Sequence, residues 1–286
     1  MSEKPGEQAN VYFMDSESGS EMARLINQDQ LVTKGMGGLL AEQADLAGIQ
    51  RVLDLACGPG GWALNVATAY PQMQVVGVDI SSAMIEYAQA QAQVRRLHNI
   101  RFQIQDIQQP LNFPAASFDL INARLIGFIK PEHWPILLQQ CKRLLRPGGV
   151  IRLTETDTPV TTSAALQKIH VFFAHALKAA GQSFSPDGEL IGTMPMLAPL
   201  LRRAGYQHVQ LKAHVIEWSS GTDAHDGFQQ TSMIGFKTLQ PFLTRAGVTT
   251  QEELDRLYEQ FLLDMQADDF CAIYSLLTAW GEKPVA

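Results

Sequence analysis

The chain has 286 residues, 46% of them apolar, and a formal net charge of −7. It is long enough for one large α/β domain, or a domain with a cap, around a sizeable core. An acidic balance without a Lys/Arg-rich run argues against nucleic acid as the main partner, because phosphate binding needs a positive footprint. No stretch approaches the ~20 apolar residues of a membrane span. Cys57, Cys141 and Cys271 stand far apart with no CxxC pair, as reduced, packed side chains do.

The N-terminus, Met1 to Asn10, is polar and lacks an apolar signal core, so a mobile tail on a cytoplasmic protein is expected. Val11-Tyr12-Phe13-Met14 is an apolar cluster where a tail would have none. Asp15 or Ser16 can cap a helix through Met22, Leu25 and Ile26 to Leu31, apolar at i, i+3, i+4 spacing. Gly35-Met36-Gly37-Gly38 breaks that pattern and Leu39 to Leu46 resumes it.

Arg51 to Leu55 reads as a strand buried on both faces, with one acid in it. Glycines follow at once, and Trp62 to Tyr70 reads as a helix. Strand, glycine turn and helix let a ligand lie against bare backbone at the carboxyl edge of a parallel sheet. Gly58-x-Gly60-x-x-Ala63 also fits the dinucleotide fingerprint, a weak match on its own. Asp54, four residues before Gly58, separates the two readings. A carboxylate there repels a pyrophosphate and attracts an ammonium group. The plainer alternative is a buried acid satisfied by backbone N–H groups.

The following elements keep the alternation of strand and helix. Val75 to Asp79 is the second strand, ending in an acid placed to accept ribose hydroxyls. Ser81 caps a helix from Ala83 to Arg96, and Ile100 to Gln105 is the third strand. Asp106-Ile107 follows it, where an Asp also commonly starts a turn. Phe118 to Arg124 is the fourth strand, and Glu132 to Leu145 a helix. Leu144-Leu145-Arg146-Pro147-Gly148-Gly149-Val150 closes that helix with residues that stop it and enters strand five.

Asp54-x-Ala56-x-Gly58-x-Gly60, Asp79, Asp106 and the Leu-Arg-Pro-Gly-Gly turn, in that order, resemble class I S-adenosyl-L-methionine (SAM)-dependent methyltransferases over residues 50 to 155. The closer likeness is to the quinone and small-molecule branch, and a weaker one is to bacterial natural-product N- and C-methyltransferases. Ala56, where Gly or Val is commoner, and Pro59 are small departures. The resemblance implies an α/β, Rossmann-like sheet of seven strands, the last antiparallel, with SAM as cofactor and S-adenosyl-L-homocysteine as product. It implies Asp54, Gly58, Gly60 and Ile80 at the cofactor, with Asp79 at the ribose. Met84, Asp106 and the Ile107 N–H fall at the adenine, and Asn122 and Arg124 at the edge facing sulfonium and substrate. An aromatic arm and helix ahead of the first motif commonly fold over the cofactor in this family, which makes Tyr12 and Met36 candidates; packing on the body is the plainer role.

Strand five, Val150 to Thr156, ends in Glu155-Thr156-Asp157, acids suited to act as base, cation holder or loop solvation. A helix from Thr161 to Gly181 carries Ile169, Phe172, Phe173 and Leu177, with His170 and His175. After a loop over Phe184 to Pro195 and a helix over Met196 to Ala204, Gln207 to Trp218 reads as strand six. The last strand, Phe270 to Leu277, comes only after helices at Asp226 to Phe242 and Thr250 to Gln266. Residues 1–38 are thus expected to form an arm and helix over the cofactor. Residues 39–286 are expected to form the Rossmann-like domain, with helical cap insertions at about 158–195 and 222–266.

The expected activity is methyl transfer to a small, largely apolar metabolite, with N or C acceptors favoured and secondary metabolism as the setting. Quinol or phenol O- or C-methylation is the alternative. Two other classes are a non-catalytic SAM-binding module and an NAD-type oxidoreductase; no Tyr-x-x-x-Lys supports the second. Glu155, His170, His175, His225 and Tyr12 compete as base, so the catalytic residue stays unassigned. No His/Cys/carboxylate spacing suits a metal. A small-molecule acceptor is the expected partner, without nucleic acid or membrane span, and a homo-oligomer is left open.

Overall fold

The computed structural model describes residues 12–43 and 46–285. The expected tail, Met1 to Asn10, and Val11 lie outside the described residues. Five strands run parallel: β1 (Arg51–Leu55), β2 (Gln74–Asp79), β3 (Ile100–Ile104), β4 (Phe118–Arg124) and β5 (Leu145–Thr156). Three more are β6 (Val160–Thr161), β7 (Gln207–Glu217) and β8 (Ala272–Glu282). The sheet order is β3-β2-β1-β4-β5-β8, with β8 antiparallel to β5 and to β7. The two-residue β6 extends the β5 edge of β8 and makes an eighth strand beyond the seven expected. The helices are α1 (Gly19–Gly35), α2 (Gly61–Ala69), α3 (Ser82–Val94), α4 (Trp134–Leu144), α5 (Ala164–Ala179), α6 (Leu197–Arg203), α7 (His225–Arg245) and α8 (Gln251–Asp264).

The central strands are largely apolar because helices cover both faces of the sheet. On one face Leu53, Leu55, Val78 and Ile121 pack against Trp134, Leu138 and Leu201 of α4 and α6. On the other, Val52, Val75 and Leu120 meet Trp62, Leu64 and Ile85 of α2 and α3. A third core, separate from these, holds α1, α5, α7 and α8 together around Val32, Ile169, Phe228, Leu239, Leu257 and Phe261. Asn27 of α1 donates to Gly227 O at 2.8 Å and to Thr231 Oγ1 at 2.7 Å, joining α1 to α7. Gly227 lets that crossing close, since a Cβ there would sit 2.8 Å from Leu31. No helix among the described residues is long and apolar enough to cross a membrane.

Three local expectations need correcting. Ser18, and not Asp15 or Ser16, caps α1 by accepting the Glu21 N–H at 3.2 Å. The helix expected to resume at Leu39 does not: Leu39 to Glu42 are turns, and Gln43 and Leu46 are irregular. Leu40 is buried there and Trp62 Nε1 donates to Leu39 O at 3.0 Å, so the segment packs as an irregular strap. Nor do Gly148 and Gly149 stop α4. The chain is already extended at Leu145, with φ −69° and ψ 140°. Gly148, at φ +75°, instead turns the first part of β5 so that its N–H donates to Lys283 O at 2.9 Å.

A polar ladder crosses the middle of this apolar sheet. Asp54, Asn122 and Arg152 are register neighbours on β1, β4 and β5. Asn122 donates to Asp54 Oδ1 at 2.7 Å, and Arg152 Nη1 donates to Asn122 Oδ1 at 2.6 Å. Arg152, 0% exposed, also forms an ion pair with Glu42 in the strap before β1. Removing one partner of a buried ion pair strands the other charge, whereas replacing both with apolar side chains is close to neutral. Arg152→Ala should therefore lose about 3–5 kcal/mol in urea unfolding, and Glu42→Leu/Arg152→Met should recover most of it. A loss within experimental error for Arg152→Ala would show that the ladder carries no stability.

Candidate active site

The carboxyl ends of β1, β2, β4 and β5 open into one cavity of about 360 Å³, roofed by α1, α5 and α7. Of the residues singled out in the sequence, Tyr12, Asp54, Gly58, Asp79, Ile80, Met84, Asp106 and Ile107 line it. Gly60, Met36 and Asn122 do not. Gly60, at φ +79°, faces inward, and a Cβ would meet Phe102 at 2.8 Å and Ala88 at 2.9 Å. Met36 is 3% exposed and belongs to the core of the helical layer. Asn122 lies behind Asp54 in the ladder and acts on the cavity only through it.

The turn after β1 is held from the side by Asp79. Its Oδ2 accepts the Gly58 N–H at 2.8 Å and its Oδ1 the Ser81 N–H at 3.0 Å. Burial raises its pKa, against the pull of those bonds. Ala56, the departure noted in the motif, sits at φ +50°, which a non-glycine residue adopts only at a conformational cost. Ser81 caps α3 by accepting the Met84 N–H at 3.2 Å, and its hydroxyl donates to Ser16 O at 3.1 Å. Glu17 accepts the Ala83 N–H at 3.1 Å, so the arm is tied across the start of α3. Asp106 Oδ1 accepts the Gln108 N–H at 2.9 Å and shapes the turn after β3.

Asp54 is pushed up to about 7 by burial, with Arg124 and the Asn122 hydrogen bond pulling the other way. Arg124 itself is engaged: it pairs with Asp29 of α1 and donates to Thr33 Oγ1 at 3.1 Å. The other cation in the lining, Arg24, is clamped to Glu21 by bonds of 2.7 and 2.6 Å, and Tyr12 donates to Glu21 at 2.6 Å. Burial raises the Tyr12 phenol above its ordinary range. Among the described residues the cavity thus offers buried carboxylates, while its arginines are already paired. A cationic, phosphate-free ligand fits that balance, and a pyrophosphate does not.

Farther in, the walls become aromatic and aliphatic. Phe13 packs on Phe173 with centroids 4.9 Å apart and on Phe242 at 5.6 Å, and Tyr12 on Phe128 at 5.1 Å. The candidate bases separate by position. His175 faces Glu189 away from the cavity at 3.6 Å, and His225 Nδ1 lies 3.1 Å from Trp218 O, also outside the lining. His170 does line the cavity; Nδ1 has no hydrogen-bond partner, and burial lowers its pKa to about 4. Asp157 is occupied by the N–H groups of Thr158, Ile191 and Gly192 at 2.8, 3.0 and 3.1 Å. Glu155, 3% exposed, accepts the Ile126 N–H at 2.7 Å, and burial pushes it up to about 8. No cluster of three His, Cys, Asp or Glu among the described residues could hold a metal.

Asp29, the Glu21–Arg24 pair and Tyr274 went unrecognised in the sequence. The signal was there in part: Arg24, Leu25, Gln28, Asp29 and Val32 share one helical face and all line the cavity. Polar residues on an otherwise apolar face mark a helix that looks onto a site.

A methyltransferase domain family matches residues 52–149. Trans-aconitate 2-methyltransferase of Deinococcus radiodurans is 31% identical over 188 residues, 60% of this chain and 68% of that protein. The chain belongs to the class I SAM-dependent methyltransferases. Demethylmenaquinone methyltransferase of Lactococcus lactis, 27% identical over 186 residues, covers 61% of this methyltransferase and 72% of its own length. Among solved structures, Haemonchus contortus phosphoethanolamine N-methyltransferase 2 with SAM bound superposes with a TM-score of 0.59 at 18% identity, which shows the fold. That alignment covers 99% of this chain and 62% of the nematode protein, so the methyltransferase spans about three fifths of its neighbour's length. As a member of that family the chain takes SAM as its cofactor, in keeping with the charge balance of the cavity.

A glutamate in the unfolded chain ionises at about pH 4, whereas folded Glu155 holds its proton to about 8. Unfolding releases a proton between these values, so the stability Glu155 contributes at acid pH is lost as pH rises toward its folded pKa. Glu155→Gln cannot ionise and should gain on the wild type in melting temperature across that interval. A constant difference between the two melting curves would place Glu155 in a solvated setting.

Proposed function

We propose that this methyltransferase transfers the methyl group of SAM to a small, largely apolar acceptor bound beneath α1, α5 and α7. The observation that carries the reading is one continuous cavity, charged and polar at the β1–β3 edge and aromatic at the other end. Asp79 accepts the ribose hydroxyls with the lone-pair capacity left beyond its backbone bonds. Asp54 pairs with the amino-acid ammonium, and Asn122 fixes its orientation. Gly58 leaves room at the turn, Ile80 and Met84 pack on the adenine, and Asp106 with the Ile107 N–H addresses its edge. Tyr12 closes the seat from the arm.

When bound, SAM supplies a methyl group on a positively charged sulfur, which keeps the bonding pair as the methyl leaves. The chain's own work is to hold the acceptor in line and to exclude water. Residues through 38 serve as an arm over the cofactor, and the insertions at about 158–195 and 222–266 serve as a cap on the acceptor. Nitrogen or carbon acceptors of secondary metabolism suit the apolar walls. A quinol or phenol is the second reading, favoured by the likeness to demethylmenaquinone methyltransferases. The three free cysteines fit a reducing, cytoplasmic setting.

Charge-assisted hydrogen bonds contribute about 1.5–3 kcal/mol each. Asp79→Ala should weaken SAM binding tenfold or more in calorimetry while leaving the fold intact. Wild-type affinity in a folded Asp79→Ala protein would remove Asp79 from the seat. Formation of S-adenosylhomocysteine with a panel of indoles, amines, phenols and quinols then tests the acceptor class.

A further inference from the structure

The acceptor end of the cavity holds few groups able to take a proton. His170 loses its proton far below neutrality because its imidazole is buried. Tyr12 is committed to Glu21, and burial also raises the Tyr274 phenol beyond its usual range. Asp157 spends its oxygens on three backbone N–H groups. Arg24 and Arg124 are paired with Glu21 and Asp29. Glu155 is different. It sits at the carboxyl end of β5 beside the exit of β4, is buried in the cavity wall, and has no cationic partner among the described salt bridges. Its backbone bonds come from the Leu125–Phe128 turn alone, through Ile126 and Gly127.

We propose that Glu155 is the proton acceptor of the methyl-transfer site, and that the substrate is a flat, largely apolar molecule presenting one heteroaromatic N–H or phenolic O–H to it. The inference rests on the reading of the site as a methyltransferase pocket. The proton passes to a Glu155 oxygen, and the electron pair it leaves stays on the acceptor atom to take up the methyl. Glu155 then gives its proton to solvent. A carboxyl that titrates near about 8 is close to neutrality, where a general base works best. The aromatic walls formed by Phe13, Phe128 and Phe173 select the flat partner. A structural alternative is that Glu155 only anchors the Leu125–Phe128 turn; Gln would then replace it without changing ligand recognition.

Calorimetry on protein saturated with S-adenosylhomocysteine, which keeps Asp54 charged, distinguishes the two roles. The probes are indole, which has an N–H, and 1-methylindole, which has the same shape without it. Each is titrated more than a unit below and more than a unit above about pH 8. Indole should bind about tenfold more tightly above that pH, as a neutral hydrogen bond becomes a charge-assisted one. 1-Methylindole should not change, and Glu155→Gln should abolish the pH effect without altering S-adenosylhomocysteine affinity. Equal, pH-independent binding of the two probes, or a pH effect that persists in Glu155→Gln, would overturn the proposal. If neither probe binds while S-adenosylhomocysteine does, the aromatic N–H class is wrong and the cofactor reading stands. If S-adenosylhomocysteine itself does not bind, the underlying reading fails instead. The wild-type comparison of the two probes decides the matter even if Glu155→Gln does not fold.

Discussion

A carboxylate buried near the carboxyl end of a central parallel strand is the constraint on which this structure depends. Asp54 cannot stay charged there unaided, because apolar strands surround it and water is excluded. The chain answers with a line of polar side chains across neighbouring strands, Asp54 to Asn122 to Arg152, ending on Glu42. Each member is satisfied by the next, and the register of β1, β4 and β5 sets the spacing. The ladder fixes where the Asp54 oxygens point while leaving its charge only partly neutralised. A ligand that brings a cation completes what the protein leaves open.

The same logic extends to the helical layer. Glu21, Arg24 and Tyr12 form one closed set, and Asp29 with Arg124 another, both against the cavity. These pairs tie α1 to the arm and to β4, so the roof over the cofactor seat is held by charges matched within the protein. What lacks a partner in the cavity lining is informative: among the described residues, His170 Nδ1 and Trp218 Nε1 have no hydrogen-bond partner, and Glu155 has backbone donors but no cation beside it. Buried polar groups without partners cost stability, and at a substrate pocket a bound ligand can supply the missing partner.

Much of the fold was legible in the sequence because it rests on local signals. Apolar runs for β1, β2 and β4, the Ser81 cap, and the glycine turn each arise from neighbouring residues. Where the reading failed, a distant partner decided. Leu39 to Leu46 has a helical pattern but is held as a strap by Trp62 and Arg152. The extended start of β5 depends on Lys283 at the far end of the chain. Site residues followed the same division. Asp79 ends β2 and Asp106 follows β3, so strand spacing puts both in the cavity lining, whereas Met36 is packed in the core of the helical layer. Asn122 faces Asp54, and only cross-strand register could show it. Asp29 and Glu21 needed the α1 face to be set against β4 before their roles appeared.

On the proposed reading, Asp54 stays partly protonated until the cationic end of the cofactor arrives. Calorimetry of S-adenosylhomocysteine binding near pH 7, repeated in buffers of different ionisation enthalpy, counts the protons that binding releases. The ammonium should draw the pKa of Asp54 down from about 7, so binding should release a substantial fraction of a proton, and Asp54→Asn should lose that release. A binding heat that does not depend on the buffer in the wild-type protein would contradict the account.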